Sequence, residues 1–89
     1  MKLIYDPAKN AINIAKHGID LSEAEWFDWE TAAFALDLRK DYGEPRIIAV
    51  GNISRRSHVA VFTLRGDSAR IISLRKANAR DRRNNEKAS

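Results

Sequence analysis

Short connections constrain the second half of this chain more than any other sequence feature. Residues 34–36, 46–53, 58–65 and 69–75 are rich in β-branched, aromatic and other apolar side chains, a composition typical of strands. The separators at 41–45, 52–57 and 66–68 are polar and contain glycine, proline or serine. A parallel return needs a crossover of a dozen or more residues. We therefore predict an antiparallel β-meander of about four strands.

The first half has helical periodicity instead. Asp6 followed by Pro7 favours a helix start, and His17-Gly18 favours its end. The apolar residues between them recur at i, i+3, i+4 and i+7, so we expect this side to face the sheet through Ile12. These residues are Ala8, Ala11, Ile12 and Ala15.

A second helix is predicted from Ser22, which forms a capping box with Glu25, to about Trp29. Trp26, Phe27 and Trp29 cannot share one side of so short a helix. Two of them are therefore expected in the core and one at the surface, where it stacks on a base or lies against a partner. Residues 77–86 favour a C-terminal helix.

Together these patterns predict an α+β fold. Two N-terminal helices pack on an antiparallel β-meander of about four strands, and a C-terminal helix follows. Residues 1–89 are expected to form a single domain, with a frayed tail from about residue 84. Alternation along the last strand groups Ile71 with Ser73 and Arg75, and this face of the sheet is the candidate cleft.

The charge of the chain is unevenly divided. Residues 1–43 have five basic and eight acidic side chains, a net of −3, whereas residues 44–89 have eleven and four, a net of +7. This indicates a polyanionic partner, although a solvated basic face is the alternative. Cysteine is absent, which excludes disulfides and thiolate zinc sites. No apolar run reaches the ~18 residues of a membrane helix, and we expect a cytoplasmic protein without membrane contact.

The sequence resembles the BrnT toxins of type II toxin–antitoxin systems along nearly its whole length. No single motif is specific, but their joint order is. The matching segments are Asp6-Pro7-Ala8-Lys9-Asn10, Lys16-His17-Gly18-Ile19, Asp37-Leu38-Arg39, Asp41-Tyr42-Gly43-Glu44 with Arg46, Thr63 with Arg65, and Arg70-Ile71-Ile72-Ser73 with Arg75-Lys76-Ala77.

The resemblance implies a RelE-like fold and a ribonuclease activity that inhibits translation. It also implies a BrnA-type antitoxin that neutralises the toxin in a heteromeric complex, expected to be a heterotetramer. Operator DNA would then be contacted only through the antitoxin. Asp81 and Asn85 stand where the family usually has glutamate and tyrosine.

RNA cleavage needs a base for the 2′-hydroxyl and cations for the phosphate. The sequence offers no cluster of metal-binding carboxylates, so we expect an endoribonuclease that uses no metal and no cofactor. Arg46, Arg65 and Arg75 lie at predicted strand ends and are expected to converge on one scissile phosphate.

The base is Glu44 or His17, although Glu44 could instead orient Arg46, and His17 could instead cap its helix. His58 is expected at the surface. Side chains that would bind RNA, or form a solvated basic surface, are Lys76, Arg80, Arg83, Arg55, Arg56 and Lys9. A module that binds nucleic acid without cleaving it, or one that binds an antitoxin after losing toxicity, is the alternative function.

Overall fold

The computed structural model describes residues 2–82 and shows a five-stranded sheet of order β1-β5-β4-β3-β2. Its antiparallel part, β2 to β5, confirms the predicted meander. β1 was not predicted, since a three-residue strand has no periodicity of its own; it pairs in parallel with β5. The elements are β1 (Lys2–Ile4), α1 (Pro7–His17), a 3₁₀ helix (Leu21–Trp26), β2 (Ala33–Leu36), β3 (Ile47–Ile53), β4 (Arg56–Arg65) and β5 (Ser68–Lys76).

Both ends of α1 are confirmed. The Asp6 carboxylate accepts a hydrogen bond from the Ala8 amide at 2.8 Å. At the other end Gly18 has a φ of 69° and donates its amide to Ile14, a conformation that glycine adopts at little cost.

The predicted orientation of α1 is wrong. Its apolar side faces outward: Ile12 is 59% exposed, whereas Asn13 is buried. The reason lies in β5, because β1 covers that strand only at residues 68–70. Beyond this point the Asn13 amide takes the place of a strand, accepting from Leu74 N at 3.1 Å and donating to Leu74 O at 2.8 Å. It also donates to Ile19 O at 2.9 Å, so the buried amide has partners for both of its ends.

The second helix differs from its prediction in type, cap and length. It is a 3₁₀ helix that ends at Trp26 and begins after Asp20, whose carboxylate accepts from the Ser22 amide at 2.9 Å. The predicted Ser22–Glu25 capping box is therefore wrong. The expected division of the aromatic residues is confirmed, since Phe27 and Trp29 pack in or against the core and Trp26 is 72% exposed.

A β-bulge in β5 changes which residues share a face of the sheet. Val61 pairs with Ser73, but its neighbour Phe62 pairs with Ile71, so Ile72 is the extra residue. The predicted grouping of Ile71 with Ser73 and Arg75 is wrong, because the bulge moves Ile71 to the core face. There it is fully buried.

The core lies between this face and the segment around the 3₁₀ helix. The approach is closest at Gly51, where a Cβ atom would lie 2.8 Å from Cζ of Phe27. The buried residues of the core cluster are Ile19, Leu21, Ala24, Phe27, Ala49, Ile53, Ala60, Phe62, Ala69, Ile71 and Leu74.

Helical structure resumes at residues 79–82, where the predicted C-terminal helix starts. Asn78 and Asp81 cap it reciprocally, each side chain accepting from the other's amide at 2.9 Å. The rest of that helix and the predicted frayed tail lie outside the described residues. Within residues 2–82, no helix combines the length and the hydropathy of a membrane span.

Candidate functional site

The face of the sheet opposite the core forms the floor of a groove of about 870 Å³. Small and aliphatic side chains from β2 to β5 line this floor, and Ser73 adds a hydroxyl group. α1 forms one wall, and the segment after β5 forms another. The floor residues are Ala33, Ala35, Ile48, Val50, Val61, Ile72 and Ser73.

The rim of the groove is basic. Lys9 and Lys16 extend from α1, and Arg80 extends from the start of the C-terminal helix. Within residues 2–82 these three side chains form no ion pair. They are therefore available to an anionic ligand.

Arg75 stands next to the end of β5 and forms a bidentate ion pair on the groove. Its two terminal nitrogens contact the two carboxylate oxygens of Asp81 at 2.7 and 3.1 Å. Hydrogen bonds from Arg75 hold the pKa of Asp81 below its ordinary value. This bidentate geometry fixes the plane of the guanidinium. Nη1 also donates to Lys76 O at 3.4 Å, which leaves Nε and one N–H of Nη2 for a ligand.

His17 lies on the same groove, at the last position of α1. Burial lowers its pKa below 6.5, and the charges of Lys16 and Arg75 lower it further. The imidazole is therefore neutral at pH 7 and can accept a proton. The capping role considered for His17 has no support within residues 2–82, where its ring forms no hydrogen bond with a carbonyl group.

Arg39 also lines the groove, a role that the sequence analysis missed. It is bound to the buried carboxylate of Asp37 through Nε and Nη2, each at 2.8 Å. Tyr42 donates to the same carboxylate at 3.1 Å. These hydrogen bonds, those of Arg39 first, lower the pKa of Asp37. The i, i+2 spacing of aspartate and arginine was the available signal.

The predicted convergence of Arg46, Arg65 and Arg75 is wrong, because Arg75 is the only one of the three that lines the groove. Arg75 lies opposite Val59 in the ladder and Arg65 opposite Ser68. Six residues of β4 separate these positions, roughly 20 Å of strand. Arg65 and Arg75 both lie near the C-terminal ends of their strands. In neighbouring antiparallel strands these ends lie at opposite ends of the sheet, which the prediction did not take into account.

The other predicted site residues of that group are engaged away from the groove. Glu44 forms an ion pair with Arg65 at 3.2 Å rather than with Arg46. The Arg46 guanidinium instead lies 3.8 Å above the centre of the Tyr42 ring, and its Nε is buried without a partner within residues 2–82.

The remaining predicted residues are divided between the groove and other surfaces. Lys9 and Arg80 line the groove. Arg55 and Arg56 are exposed at the β3–β4 turn and Lys76 is exposed at the end of β5, while Arg83 lies outside the described residues. His58, expected at the surface, is buried and its Nδ1 lies 2.7 Å from Arg56 O.

Comparison with known protein families identifies the family of this chain. The model of the family described as "Ribonuclease toxin, BrnT, of type II toxin-antitoxin system" matches residues 5–81, which include all the elements that form the groove. A search among curated proteins finds no similar sequence.

Proposed function

Because this chain belongs to the BrnT family of ribonuclease toxins of type II toxin–antitoxin systems, we propose that it inhibits translation by cleaving RNA in the basic groove. The observation that carries this assignment is the joint position of His17 and Arg75. A neutral imidazole and a rigidly held guanidinium line the same groove, beside cations that have no partner within residues 2–82.

In the proposed reaction His17 is the general base. It removes the proton of the 2′-hydroxyl group, whose oxygen attacks the adjacent phosphorus. The 5′-oxygen leaves with a proton from solvent, and the product carries a 2′,3′-cyclic phosphate. Arg75 stabilises the charge that develops on the phosphoryl oxygens, a contribution of about 3–4 kcal/mol for one well-placed donor.

The neighbouring cations bind the rest of the RNA backbone. Lys9, Lys16 and Arg80 are placed along the rim to contact the phosphates on either side of the cleaved bond. Lys76, Arg55 and Arg56 would extend this surface beyond the groove. Arg46, Arg65 and Glu44 have no role in the chemistry under this proposal.

Cleavage is proposed to need no metal ion and no cofactor, because His17 and Arg75 supply a base and an electrophilic group. The test is incubation of the purified chain with RNA in EDTA. Cleavage to ends with a 2′,3′-cyclic phosphate, lost in His17→Ala and Arg75→Ala, supports the proposal. RNA that is bound but remains intact supports the alternative, a binding module without catalysis.

The finer properties implied by the family also belong to this proposal. They are a RelE-like fold and a cytoplasmic location. The mixed α+β architecture is compatible with such a fold. The partner is a BrnA-type antitoxin in a heterotetramer that contacts operator DNA only through the antitoxin. Co-expression with a BrnA-type protein, followed by mass measurement of the complex, tests the partner and its stoichiometry.

A further inference from the structure

The outer edge of β2 is the least protected apolar surface of the described chain. β2 ends the sheet order, so no strand within residues 2–82 pairs with its outer edge. Three large apolar side chains follow at alternate positions: Phe34 is 53% exposed, Leu36 60% and Leu38 84%. Sheet edges are usually protected by charged residues or proline, and β2 contains neither.

The main chain of β2 has hydrogen-bonding groups free at this edge. Asp37 donates its amide to Arg46 O at 2.8 Å, which continues the ladder between β2 and β3. In an antiparallel ladder the main-chain groups of alternate residues point to opposite sides. Those of Ala35 therefore point to β3, as those of Asp37 do, and those of Phe34 and Leu36 point outward.

The residues on either side of β2 have opposite charges, so a two-fold rotation would bring the acidic side of one copy to the basic side of another. Glu30 lies in the turn before the strand, and Lys40 lies in the loop after it. Both are exposed, and neither forms an ion pair within residues 2–82. Antiparallel pairing brings the start of one strand to the end of its partner, so each glutamate would meet the other copy's lysine.

We propose that the β2 edge binds a second copy of this chain, and that the two sheets join through antiparallel β2 strands into one of ten strands. Phe34 of each copy then lies opposite Leu36 of the other, with four main-chain hydrogen bonds between them. This register also brings the turn that holds Glu30 in each copy toward the loop that holds Lys40 in the other, and it buries the apolar edge that a single copy leaves in water.

Pairing of this kind would extend the groove. The two-fold axis is perpendicular to the joined sheet, so both grooves open on the same side. Ala33 and Ala35, on the groove floor of each copy, then lie beside those of the other copy. The second copy thus completes a floor that ends at an open edge in one chain. The interface itself does not depend on the proposed RNA cleavage.

Sedimentation velocity of the purified chain over a concentration series tests the interface. We expect dimers at tens of micromolar. Glu30→Lys and Lys40→Glu should each weaken the dimer about tenfold, since either change turns two attractive pairs into repulsive ones. The doubly reversed chain should dimerise like the original, and so should an equimolar mixture of the two single variants. The differences should shrink in 1 M salt.

Leu36→Pro gives an independent test because it removes an outward N–H that no residue within 2–82 accepts. Far-ultraviolet circular dichroism checks that the monomer is folded, and we expect the dimer to be lost. A chain that remains monomeric at several hundred micromolar overturns the proposal, as does a dimer that is insensitive to all these changes. The ribonuclease assay in EDTA is read separately, so failure of one result does not imply failure of the other.

Discussion

Arg75 has two partners in the proposed reaction, because the guanidinium that Asp81 orients also contacts the phosphate. Arg75→Ala should therefore lower the cleavage rate about 100-fold or more. Arg65→Ala is the matched control, since its side chain pairs with Glu44 away from the groove, and it should leave the rate nearly unchanged. Initial rates on a labelled oligonucleotide give both values, and circular dichroism confirms the fold. An equal loss in both variants would contradict the assignment of the groove.

If His17 is the general base, the rate of cleavage should fall at low pH. Its pKa is below 6.5, so the base is mostly deprotonated at pH 7 and becomes inactive only as the pH falls through that lower value. We expect kcat/KM to rise with pH to a plateau, with the acid limb at lower pH than an unperturbed histidine would give. The residual kcat/KM of His17→Ala should not show this fall at low pH. If it persists there, another group is the base.

At the scale of elements, Asn13 fastens α1 to the open edge of β5. Asn13→Ala leaves Leu74 N–H, Leu74 C=O and Ile19 C=O without this partner, and should lower the free energy of unfolding by about 2–4 kcal/mol. Asn52→Ala is the control because it removes an exposed asparagine, and it should change the free energy of unfolding by less than about 0.5 kcal/mol. Urea denaturation measures both. Equal effects would show that the amide does not join the two elements.

The β3–β4 turn is a second feature of element scale. Ser54 and Arg55 have φ values of 48° and 68°, a region that costs residues other than glycine about 1–2 kcal/mol. Arg55→Gly should therefore raise the melting temperature. Arg56→Gly, one residue later in β4, should lower it, because glycine destabilises a strand. A decrease in both variants would show that Arg55 is not strained.

The elements show how much of the fold the sequence could predict. Local signals predicted α1 through Asp6 and Gly18, and they predicted the meander through its short turns. They failed where a distant group decided the outcome. Asn13 is not on the side of α1 that was expected to face the sheet, and its partner Leu74 is 61 residues away in sequence. No local pattern marks the bulge that moves Ile71 to the core.

At the scale of the whole molecule, the basic half of the sequence contributes Arg75 and Arg80 to the groove, whereas Lys9 and Lys16 come from the acidic half. Arg75 and Arg65 were predicted to share one site because both lie near the end of a strand. The prediction ignored strand direction, which decides whether two strand ends are neighbours. Lys16 was not among the predicted site residues. Its position on the groove follows from the rotation of α1, which the tertiary contacts of Asn13 determine.

The arrangement of charge predicts the salt dependence of RNA binding. Four of the groove cations are proposed to contact RNA, namely Lys9, Lys16, Arg75 and Arg80, whereas Arg39 is bound to Asp37. They should give a slope of log affinity against log salt of about −3, at about −0.7 per phosphate of a single strand. Lys9→Gln with Lys16→Gln should reduce this slope by about 1.4. Arg65→Gln with Arg70→Gln is the matched control and should keep the slope, because these side chains pair with Glu44 and Asp6 and do not line the groove. Fluorescence anisotropy at several salt concentrations measures the slopes, and equal slopes in both double variants would contradict the groove as the RNA site.

The contact of Gly51 with Phe27 limits how this sequence can change over time. A methyl group at position 51 would overlap a ring that is itself enclosed by the core. Any larger residue there must therefore be preceded by a smaller one at position 27, which on its own would leave a void. A smaller residue at position 27 has to come first, and the protein is less stable until a larger residue at position 51 fills the void. We therefore expect related sequences to keep both residues or to replace both.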